Sequence, residues 1–444
     1  LSGSGIGLDG GKVTTASGDI TLTGSLNMTG DGALEATSGT IAMNGAVTNA
    51  TGGTEILTLI TDNAVTQTDT TGIDVDALAL QGPGTFTLDD ADNQISLLTA
   101  GSSTERVAAL TVNNSGALEV GTTAAGTGDE QNGILASGDV SLTAAGGDLT
   151  VSKAIDTQSA STTALTLAET GSSGAITLNA DITTVGDQTY SGDQSGSHDV
   201  VIAGDVTLET TGTDRDIDFT GNTASATGTQ TLTLVTDGAM THAGALEVDE
   251  LALQGTASFT LANAANQIGL LAAGIASDTS ASPEVLEERT SAITVNNTGN
   301  ITIGSIGSQD GILAEGPVAL GTTNGVLAIE QAIDTQTPNT GGSPGTLSLS
   351  ASGSGVIQLA ADVDADGTQT YSGASKLMAD VALNAGVANI TFAGDMTNAA
   401  GGIETLRLTS NGQVTQSGTL DVDELALFGT GDFIFDQAGN QVTK

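Results

Sequence analysis

The strongest constraint on how this chain can fold is an internal repeat. Its period is 173 to 174 residues, as the spacing of Phe86, Phe259 and Phe433 shows. Short apolar segments recur at fixed places in each unit, whereas the polar connections between them vary in length. Fixed short segments joined by variable loops are typical of solenoids, because a loop can leave the stack without disturbing it.

The repeat divides the chain into four parts of one continuous solenoid. We predict full units at 53–227 and 228–401, a divergent partial copy at 1–52 and a truncated copy at 402–444. Because the last copy stops inside a unit, we expect the native chain or assembly to continue further. The sequence begins without Met or a signal-like segment, so we expect a processed or excised chain.

Within each unit, apolar and polar residues alternate with period two, in runs of three to five residues. Examples are Val140-Ser141-Leu142 and Ile176-Thr177-Leu178. Such alternation predicts strands with one buried face. Strands this short, joined by small Gly- and Asp-containing turns, favour a right-handed parallel β-helix, an all-β rod, over a sandwich. At about 20 residues a turn, we predict roughly 22 turns.

The repeated apolar positions identify residues expected to point into the core. Because residues two apart in a strand share a face, alternate leucines of one segment should be buried together. The six leucines for which we predict this are Leu57, Leu59, Leu232, Leu234, Leu406 and Leu408.

Composition narrows the classes of function. The chain has 52 acidic and 8 basic residues and a formal charge of −44, which disfavours binding to nucleic acid or to an anionic membrane surface. No apolar run is long enough to span a bilayer. A mean hydropathy of +0.10 and a charged fraction of 14% argue against disorder. Cys is absent, which fits either a reducing compartment or an outer-surface protein that crosses a membrane unfolded.

Two segments carry a resemblance to a known family. Gln188–Gly192 and Gln369–Gly373 both read Gln-Thr-Tyr-Ser-Gly. Runs such as Gly138–Thr143, which reads Gly-Asp-Val-Ser-Leu-Thr, carry the same resemblance. They resemble the filamentous-haemagglutinin-like exoproteins of two-partner secretion systems and related large bacterial surface adhesins. The resemblance implies a right-handed β-helix, an outer-surface location and a role in adhesion or matrix building. The family's secretion domain carries Asn-Pro motifs, which this sequence lacks, so the resemblance concerns the repetitive rod.

One stretch matches the opening of a calcium-binding loop. Asp362, Asp364 and Asp366 precede Gly367 in the pattern D-x-D-x-D-G. The Glu expected at the twelfth loop position is replaced by Gly373, and the flanking residues are strand-like. Two interpretations stay open, namely a solvated acidic corner and a weak surface calcium site.

Pairs of acidic residues two positions apart recur in three copies. The pairs are Asp74 and Asp76, Glu247 and Asp249, and Asp421 and Asp423. Both members of a pair should point outward, because Val75, Val248 and Val422 take the opposite face. Such pairs would keep the protein soluble and oppose lateral aggregation. The alternative is that they bridge neighbouring rods through a divalent cation such as calcium.

Catalytic chemistry has little support in this sequence. A β-helix lyase needs a Lys or Arg base beside acidic groups, and a glycoside hydrolase needs two carboxylates at a fixed separation. The basic residues are scattered singly, and His198 and His242 have no counterparts in the other unit. We therefore predict no enzyme, no catalytic residue and no cofactor other than calcium. A carbohydrate-active β-helix enzyme is the alternative.

The sequence thus predicts the structural rod of a secreted or surface-displayed bacterial fibre. We expect the rods to associate end to end or laterally. Loops such as 121–132 are expected to contact glycans or a neighbouring cell surface. Neither a nucleic-acid partner nor membrane insertion is expected.

Overall fold

In the computed structural model of the chain, the described residues are 1, 6–49, 53–68, 72–123, 131–172, 174–192, 199–276, 287–336 and 344–444. They form strands and turns but no helix, and accordingly none of their segments is a helix that could span a membrane. The chain divides into two compact units, Leu1–Gly228 (unit 1) and Thr229–Lys444 (unit 2). From here on, unit 1 and unit 2 mean these two parts of the chain and not the repeats of the sequence. Their strands stack in parallel as a β-solenoid, which confirms the predicted fold class. The right-handed sense stays a prediction from the rule for parallel connections.

The strands of unit 1 follow one another at short intervals. In chain order they are β1 Ile6–Leu8, β2 Gly11–Thr15, β3 Ile20–Leu22, β4 Leu26–Met28, β5 Gly32–Ala36, β6 Ile41–Met43, β7 Val47–Asn49, β8 Ile56–Thr61, β9 Ala64–Gln67, β10 Ile73–Gln81, β11 Thr85–Leu88, β12 Gln94–Ala100, β13 Ala109–Asn114, β14 Leu118–Val120, β15 Thr122–Thr123, β16 Gln131–Asn132, β17 Ile134–Ala136, β18 Val140–Ala144, β19 Leu149–Val151, β20 Ile155–Thr157, β21 Leu165–Glu169, β22 Ile176–Leu178, β23 Ile182–Thr184, β24 Gln188–Ser191, β25 Val200–Ile202, β26 Val206–Thr210, β27 Ile217–Phe219 and β28 Thr223–Ser225.

Unit 2 is built in the same way. Its strands are β29 Thr231–Val235, β30 Ala239–His242, β31 Leu246–Gln254, β32 Ser258–Leu261, β33 Gln267–Ala273, β34 Ala292–Thr298, β35 Ile301–Ile303, β36 Ser305–Ile306, β37 Gln309–Asp310, β38 Ile312–Leu313, β39 Val318–Thr323, β40 Val326–Ile329, β41 Ile333–Thr335, β42 Leu347–Ser352, β43 Val356–Leu359, β44 Val363–Ala365, β45 Gln369–Ser372, β46 Ala374–Leu377, β47 Val381–Asn384, β48 Ile390–Phe392, β49 Met396–Asn398, β50 Thr405–Thr409, β51 Gln413–Gln416, β52 Leu420–Val422, β53 Glu424–Phe428, β54 Asp432–Ile434 and β55 Gln441–Val442.

Strands pair in parallel with their equivalents one turn further on. One column in unit 1 stacks β3, β6, β9, β11, β13, β18, β21, β24 and β27. The matching column in unit 2 stacks β30, β32, β34, β39, β42, β45, β48, β51 and β54. The remaining long columns lie in a second sheet, and a long strand such as β10 joins two of them, since it pairs with both β7 and β8.

The turns are longer than the sequence suggested. Ile6 pairs with Leu26, Leu110 with Val140 and Ala100 with Ile134, so equivalent residues of unit 1 lie 20 to 34 positions apart. The described residues make about 17 turns. The predicted number of roughly 22 was therefore wrong, because the connections between strands take more residues than we assumed.

The core consists of the inward side chains of each turn. Burial alternates along the strands as predicted, for example in β18 and β21. The side chains of all six leucines predicted to point inward have no exposed surface: Leu57, Leu59, Leu232, Leu234, Leu406 and Leu408. Their inward orientation is confirmed.

Close contact between turns also explains a repeated glycine. Gly82, Gly255 and Gly429 occupy equivalent positions just after the Leu-Ala-Leu segments, and their φ angles are 87°, 91° and 102°. A side chain at Gly82 would also collide with the carbonyl oxygen of Thr61 in the preceding turn. Glycine is required here both by the left-handed backbone and by the space between turns.

Candidate functional site

The repeated acid pairs point outward, as predicted. Their intervening valines, Val75, Val248 and Val422, are 2 to 3% exposed, whereas the acidic residues are exposed or half-buried. Asp74 lies in register with Thr48 of one neighbouring turn and Gln94 of the other. Glu247 is likewise in register with Gln267. The residues in register with these two acids on the adjacent turns are therefore neutral, which limits charge repulsion between stacked strands.

The three aspartates of the calcium-like stretch are spread along β44 and its ends. Asp362 is exposed, and its Oδ1 accepts a hydrogen bond from the backbone N–H of Ala382 at 2.8 Å. Asp364 is half-buried and accepts a hydrogen bond from Asn384 Nδ2 at 3.0 Å. Two of the three carboxylates thus join neighbouring turns.

Asp364 has an acidic neighbour in the preceding turn. It lies in register with Asp334, and its partial burial raises its pKa, with further contributions from the charges of Asp334 and Asp362. In the part of the chain that the structure describes, no three Asp, Glu, His or Cys side chains come together as a metal-binding group. Calcium binding by Asp362, Asp364 and Asp366 stays a prediction.

Many aspartates have a role that we did not predict. Their carboxylates join neighbouring turns at the corners of the solenoid. Asp19 Oδ1 accepts the backbone N–H of Thr40 at 2.8 Å, and Asp395 Oδ1 accepts that of Thr419 at 2.7 Å. These bonds lower the pKa of Asp19 and of Asp395. The same link from a corner aspartate to the next turn is made by Asp31, Asp148, Asp181, Asp187, Asp199, Asp237, Asp362 and Asp380.

The sequence does carry a signal for these corner bonds. Asp19 directly precedes Ile20, the first buried residue of β3, and Asp395 precedes the buried Met396 of β49 in the same way. An Asp immediately before an alternating apolar run therefore indicates a carboxylate that accepts a backbone N–H from the next turn. Part of the large acidic excess is structural for this reason.

Two of the few basic residues also join turns. Arg106 Nη1 donates to the carbonyl oxygens of Ala136 and Asp156 at 3.1 and 3.0 Å, and Nη2 pairs with the Asp156 carboxylate. Val107 pairs with Ala136, and Ala136 pairs with Thr157, so the guanidinium spans three successive turns. We call this arrangement the arginine clamp.

Unit 2 contains the same arginine clamp. Arg289 Nη1 donates to the carbonyl oxygens of Ala314 and Asp334, each at 3.3 Å, and Nη2 pairs with the Asp334 carboxylate at 2.7 Å. The Arg289 side chain is 10% exposed. Sequence reasoning treated the basic residues as isolated and missed the clamp, although Arg106 and Arg289 hold equivalent places in the repeat.

Buried asparagines provide a second repeated link between turns. Asn93 has no exposed surface; its Oδ1 accepts the N–H of Ile73 at 2.8 Å, and its Nδ2 donates to the carbonyls of Leu88 and Asn113. Asn266 makes the equivalent bonds in unit 2. The side chains of these asparagines thus form hydrogen bonds with backbone N–H and carbonyl groups that the turn between strands would otherwise leave without partners.

In the Gln-Thr-Tyr-Ser-Gly segments, the Gln and Tyr side chains are buried and the Thr and Ser between and after them are half-buried. The Tyr190 hydroxyl donates to Gln188 Oε1 at 2.7 Å, and Gln188 Nε2 donates to the carbonyl of Glu209 at 2.7 Å. The Tyr190 ring stacks on Phe219, with ring centroids 4.8 Å apart. The motif around Tyr371 repeats this arrangement. The residues that carry the family resemblance thus have a packing role in this chain.

Small hairpins depart from the parallel order. The pairs β15–β16 and β36–β37 are antiparallel, and residues 124–130 within the predicted contact loop 121–132 lie outside the described residues. Gln131 Nε2 anchors its hairpin by donating to the carbonyls of Leu80 and Gly101, at 2.8 and 2.9 Å. Gln309 makes the same two bonds in unit 2.

The hairpin of unit 2 covers the outer face of the sheet. Ile306 packs with Ala252, Ala272 and Leu270, so β31 is buried on both faces near its C-terminal end. This covering explains why Leu251, Ala252 and Leu253 are buried in succession instead of alternating.

Of the two histidines, the structure describes His242. His198 lies outside the described residues. His242 is 8% exposed; its Nδ1 lies 3.0 Å from the carbonyl oxygen of Gly244, and burial lowers its pKa to about 4. At neutral pH this imidazole is uncharged and packed in the wall of the solenoid.

An open polar cleft is present in unit 2. Its lining includes Asn398, Gly402, Asp421, Asp423 and Thr443. Asp421 and Asp423 form one of the predicted acid pairs. This pair therefore lines the same cleft as the side-chain amide of Asn398. The cleft has the oxygen-rich character of a cation site rather than an apolar ligand pocket.

Comparison with known proteins gives no relative for this chain. No family model matches, and neither a curated protein nor a solved structure is significantly similar. The resemblance to filamentous-haemagglutinin-like exoproteins therefore stays a prediction.

Proposed function

We propose that this chain is a structural, non-catalytic rod from a secreted or surface-displayed bacterial fibre. One observation carries the proposal: the buried and half-buried polar side chains described above, which recur in both units, join neighbouring turns. The arginine clamps, the buried asparagines, and the bonds from Gln188 and Gln369 to backbone carbonyls of the next turn are the main examples. A binding or catalytic site built from these side chains would instead leave them free for a ligand.

The proposal includes a location and partners. A rod of this kind would lie outside the cell, where it associates with its own copies end to end or laterally. Adhesion to glycans or to a neighbouring cell surface would use loops that leave the stack. The strongly acidic surface supports a solvated extracellular role, since a net charge of −44 opposes non-specific association.

Immunolabelling of intact producing cells tests the location. Antibodies raised against the purified chain should label the cell exterior or released fibres, and protease treatment of intact cells should remove the label. A cytoplasmic protein, treated in parallel, should resist the protease. Label confined to the cell interior would contradict the proposed location.

A separate assay tests the absence of catalysis. The purified chain should release no reducing ends or unsaturated products from a panel of neutral and acidic polysaccharides, whereas a known lyase included in the panel should do so. Turnover that follows the chain through purification would favour the alternative of a carbohydrate-active enzyme.

A further inference from the structure

The outer face of one column of strands differs from the rest of the surface in charge. In the column of unit 1 that begins with β3, buried inward residues alternate with outward residues that are exposed or half-buried. The outward residues that lie in register on six successive strands of this column are Thr66, Thr87, Thr111, Ser141, Thr166 and Thr189. Each of these side chains is short and uncharged and carries a hydroxyl group.

The matching column of unit 2 has the same character. The outward residues in register on four of its successive strands are Ser348, Thr370, Thr391 and Thr415. In the strands of the two columns, the ionisable side chains that point outward are Asp218 and Asp432, and each lies in the last strand of its column. We call these two outward surfaces the hydroxyl faces of units 1 and 2.

The negative charge lies elsewhere on each unit. The outward residues of the second sheet include the acids Asp74, Asp76, Glu119, Glu209, Glu247 and Asp249. Corner aspartates such as Asp19 and Asp139 border the hydroxyl face of unit 1, since they directly precede β3 and β18. A neutral centre inside a charged border is typical of protein–protein interfaces, because their cores are depleted of charged residues.

The distribution of charge favours a second copy of this chain as the partner. With a net charge of −44, two copies repel each other wherever their acidic surfaces approach. At the hydroxyl faces, two copies can meet with almost no carboxylate between them. A hydroxyl group both donates and accepts hydrogen bonds, so two identical faces can satisfy one another. A small-molecule ligand would instead need a concave pocket lined largely by apolar side chains.

We propose that copies of this chain associate laterally through their hydroxyl faces, sheet packed against sheet. The proposal rests on the lateral association included in the proposed function and names the surface that performs it. Sheets packed in this way lie about 10 Å apart, a distance that suits side chains as short as Thr and Ser. Because both copies contribute the same surface, the contact has two-fold symmetry.

The size of a hydroxyl face predicts a weak contact. Nine strands spaced about 4.8 Å apart make the face of one unit roughly 40 Å long and, at about three residues a strand, roughly 10 Å wide. Its area of roughly 400 Å² is about half of what each partner buries in a stable complex. We therefore expect association that is reversible, depends on protein concentration and increases as salt screens the charged border.

Sedimentation of the full chain in the presence of a chelator tests the proposal, because the acid pairs cannot bridge copies without calcium. The unsubstituted chain should associate as its concentration rises, and more strongly at about 0.15 M than at about 0.01 M sodium chloride. The double variant Thr166→Asp and Thr370→Asp places one new charge in the hydroxyl face of each unit. It should need a concentration at least about tenfold higher to associate, because like charges would be brought together in the contact.

A matched control places the same two charges on the second sheet. The double variant Thr177→Asp and Gln358→Asp changes half-buried outward residues of β22 and β43. It should associate like the unsubstituted chain, and equal weakening in the two double variants would overturn the proposal. A chain that stays monomeric under all these conditions, or association that neither double variant weakens, would overturn it as well. Neither result would contradict the extracellular location, which immunolabelling tests separately.

Cross-linking provides a second test that does not depend on added charge. The sequence contains no Cys, so a single introduced thiol reacts alone. Thr111→Cys places this thiol in the hydroxyl face of unit 1, and Thr177→Cys places it on the second sheet. A bismaleimide that spans about 10 Å should link copies of the first variant and leave the second as monomers. Equal linking of the two variants would overturn the proposal.

Discussion

At the scale of single residues, position within the turn decides what each side chain does. In β21, Leu165 and Leu167 have no exposed surface, whereas Thr166 between them is half-buried. Thr166 lies in register with Ser141 and Thr189 of the neighbouring turns. The strand is therefore apolar on its inner face and lined with hydroxyl groups on its outer face.

Substitution on the two faces of β21 should have opposite consequences. Leu167→Asp would place an unpaired charge in the core and should lower the free energy of unfolding by about 3 kcal/mol or more. Thr166→Asp, one residue away, should change it by less than about 1 kcal/mol. Chemical denaturation of both variants provides the measurement. Equal effects would show that the assignment of faces is wrong.

His242 should make the stability of the protein sensitive to acid. Its pKa is about 4 in the fold, below the ordinary value of 6.5, because burial disfavours the charged form. Between these values the unfolded chain binds more protons than the folded one. Stability from this residue is therefore complete above about pH 6.5 and declines by up to about 3 kcal/mol as the pH falls to 4.

The variant His242→Gln tests this dependence. Glutamine occupies the equivalent positions 67 and 416, so the substitution fits the repeat. The difference in melting temperature between the variant and the unsubstituted protein should grow in favour of the variant as the pH is lowered from 7 to 4. A difference that does not change with pH would contradict the assignment of His242 as the titrating group.

At the scale of elements, short strands are held in place by bonds between turns. A strand of three residues contributes few hydrogen bonds. Each corner aspartate adds a link between two neighbouring turns, and each arginine clamp adds a link among three. The clamp of unit 2 is the more buried, because the Arg289 side chain is 10% exposed and that of Arg106 is 25% exposed. Its contribution to stability should therefore be the easier one to measure.

A double-mutant cycle should reveal the clamp. Arg289→Ala should destabilise the protein by about 2 kcal/mol, since a charged hydrogen bond is lost and Asp334 is left without its main cation. Combined with Asp334→Ala, it should give a coupling energy of about 1–3 kcal/mol. Arg407→Ala is the control, because Arg407 is exposed and stacks on Phe428 at 4.2 Å. It should show no coupling to Asp334, and a coupling as large as that of Arg289 would contradict the clamp.

At the scale of the whole molecule, the acidic excess has to be divided between structure and surface. Corner aspartates accept backbone N–H groups, whereas pairs such as Asp74 and Asp76 face solvent. The net charge of −44 still opposes the folded state through self-repulsion. Screening should therefore stabilise the protein as salt is raised from about 0.01 to 0.15 M, where the Debye length falls from about 30 to 8 Å.

Calcium should promote lateral association if the outward acid pairs bridge neighbouring copies. We expect light scattering to increase with calcium more than with sodium at equal ionic strength, and chelation to reverse the increase. Replacing Asp74 and Asp76 by Asn should weaken the response, whereas Asp432→Asn, at an exposed carboxylate outside the pairs, should leave it unchanged. If calcium and sodium act alike, the pairs serve solubility alone.

The amino-acid sequence by itself determined the solenoid, its inward leucines and its outward acid pairs. Alternation with period two is a local property that depends only on the geometry of an extended strand, so it can be read without knowing which strands are neighbours. The repeat then required equivalent segments, such as those around Leu57 and Leu232, to take equivalent places. These two features were sufficient for the fold class and for the inward and outward faces of the strands.

Tertiary structure alone decided the length of a turn and the partners of the polar residues. Arg106 and Asp156 are 50 positions apart, and nothing in either local sequence indicates that stacking brings them together. Register between turns follows from loop lengths and bonds across turns, which are non-local, so it emerged only when the strands were seen stacked.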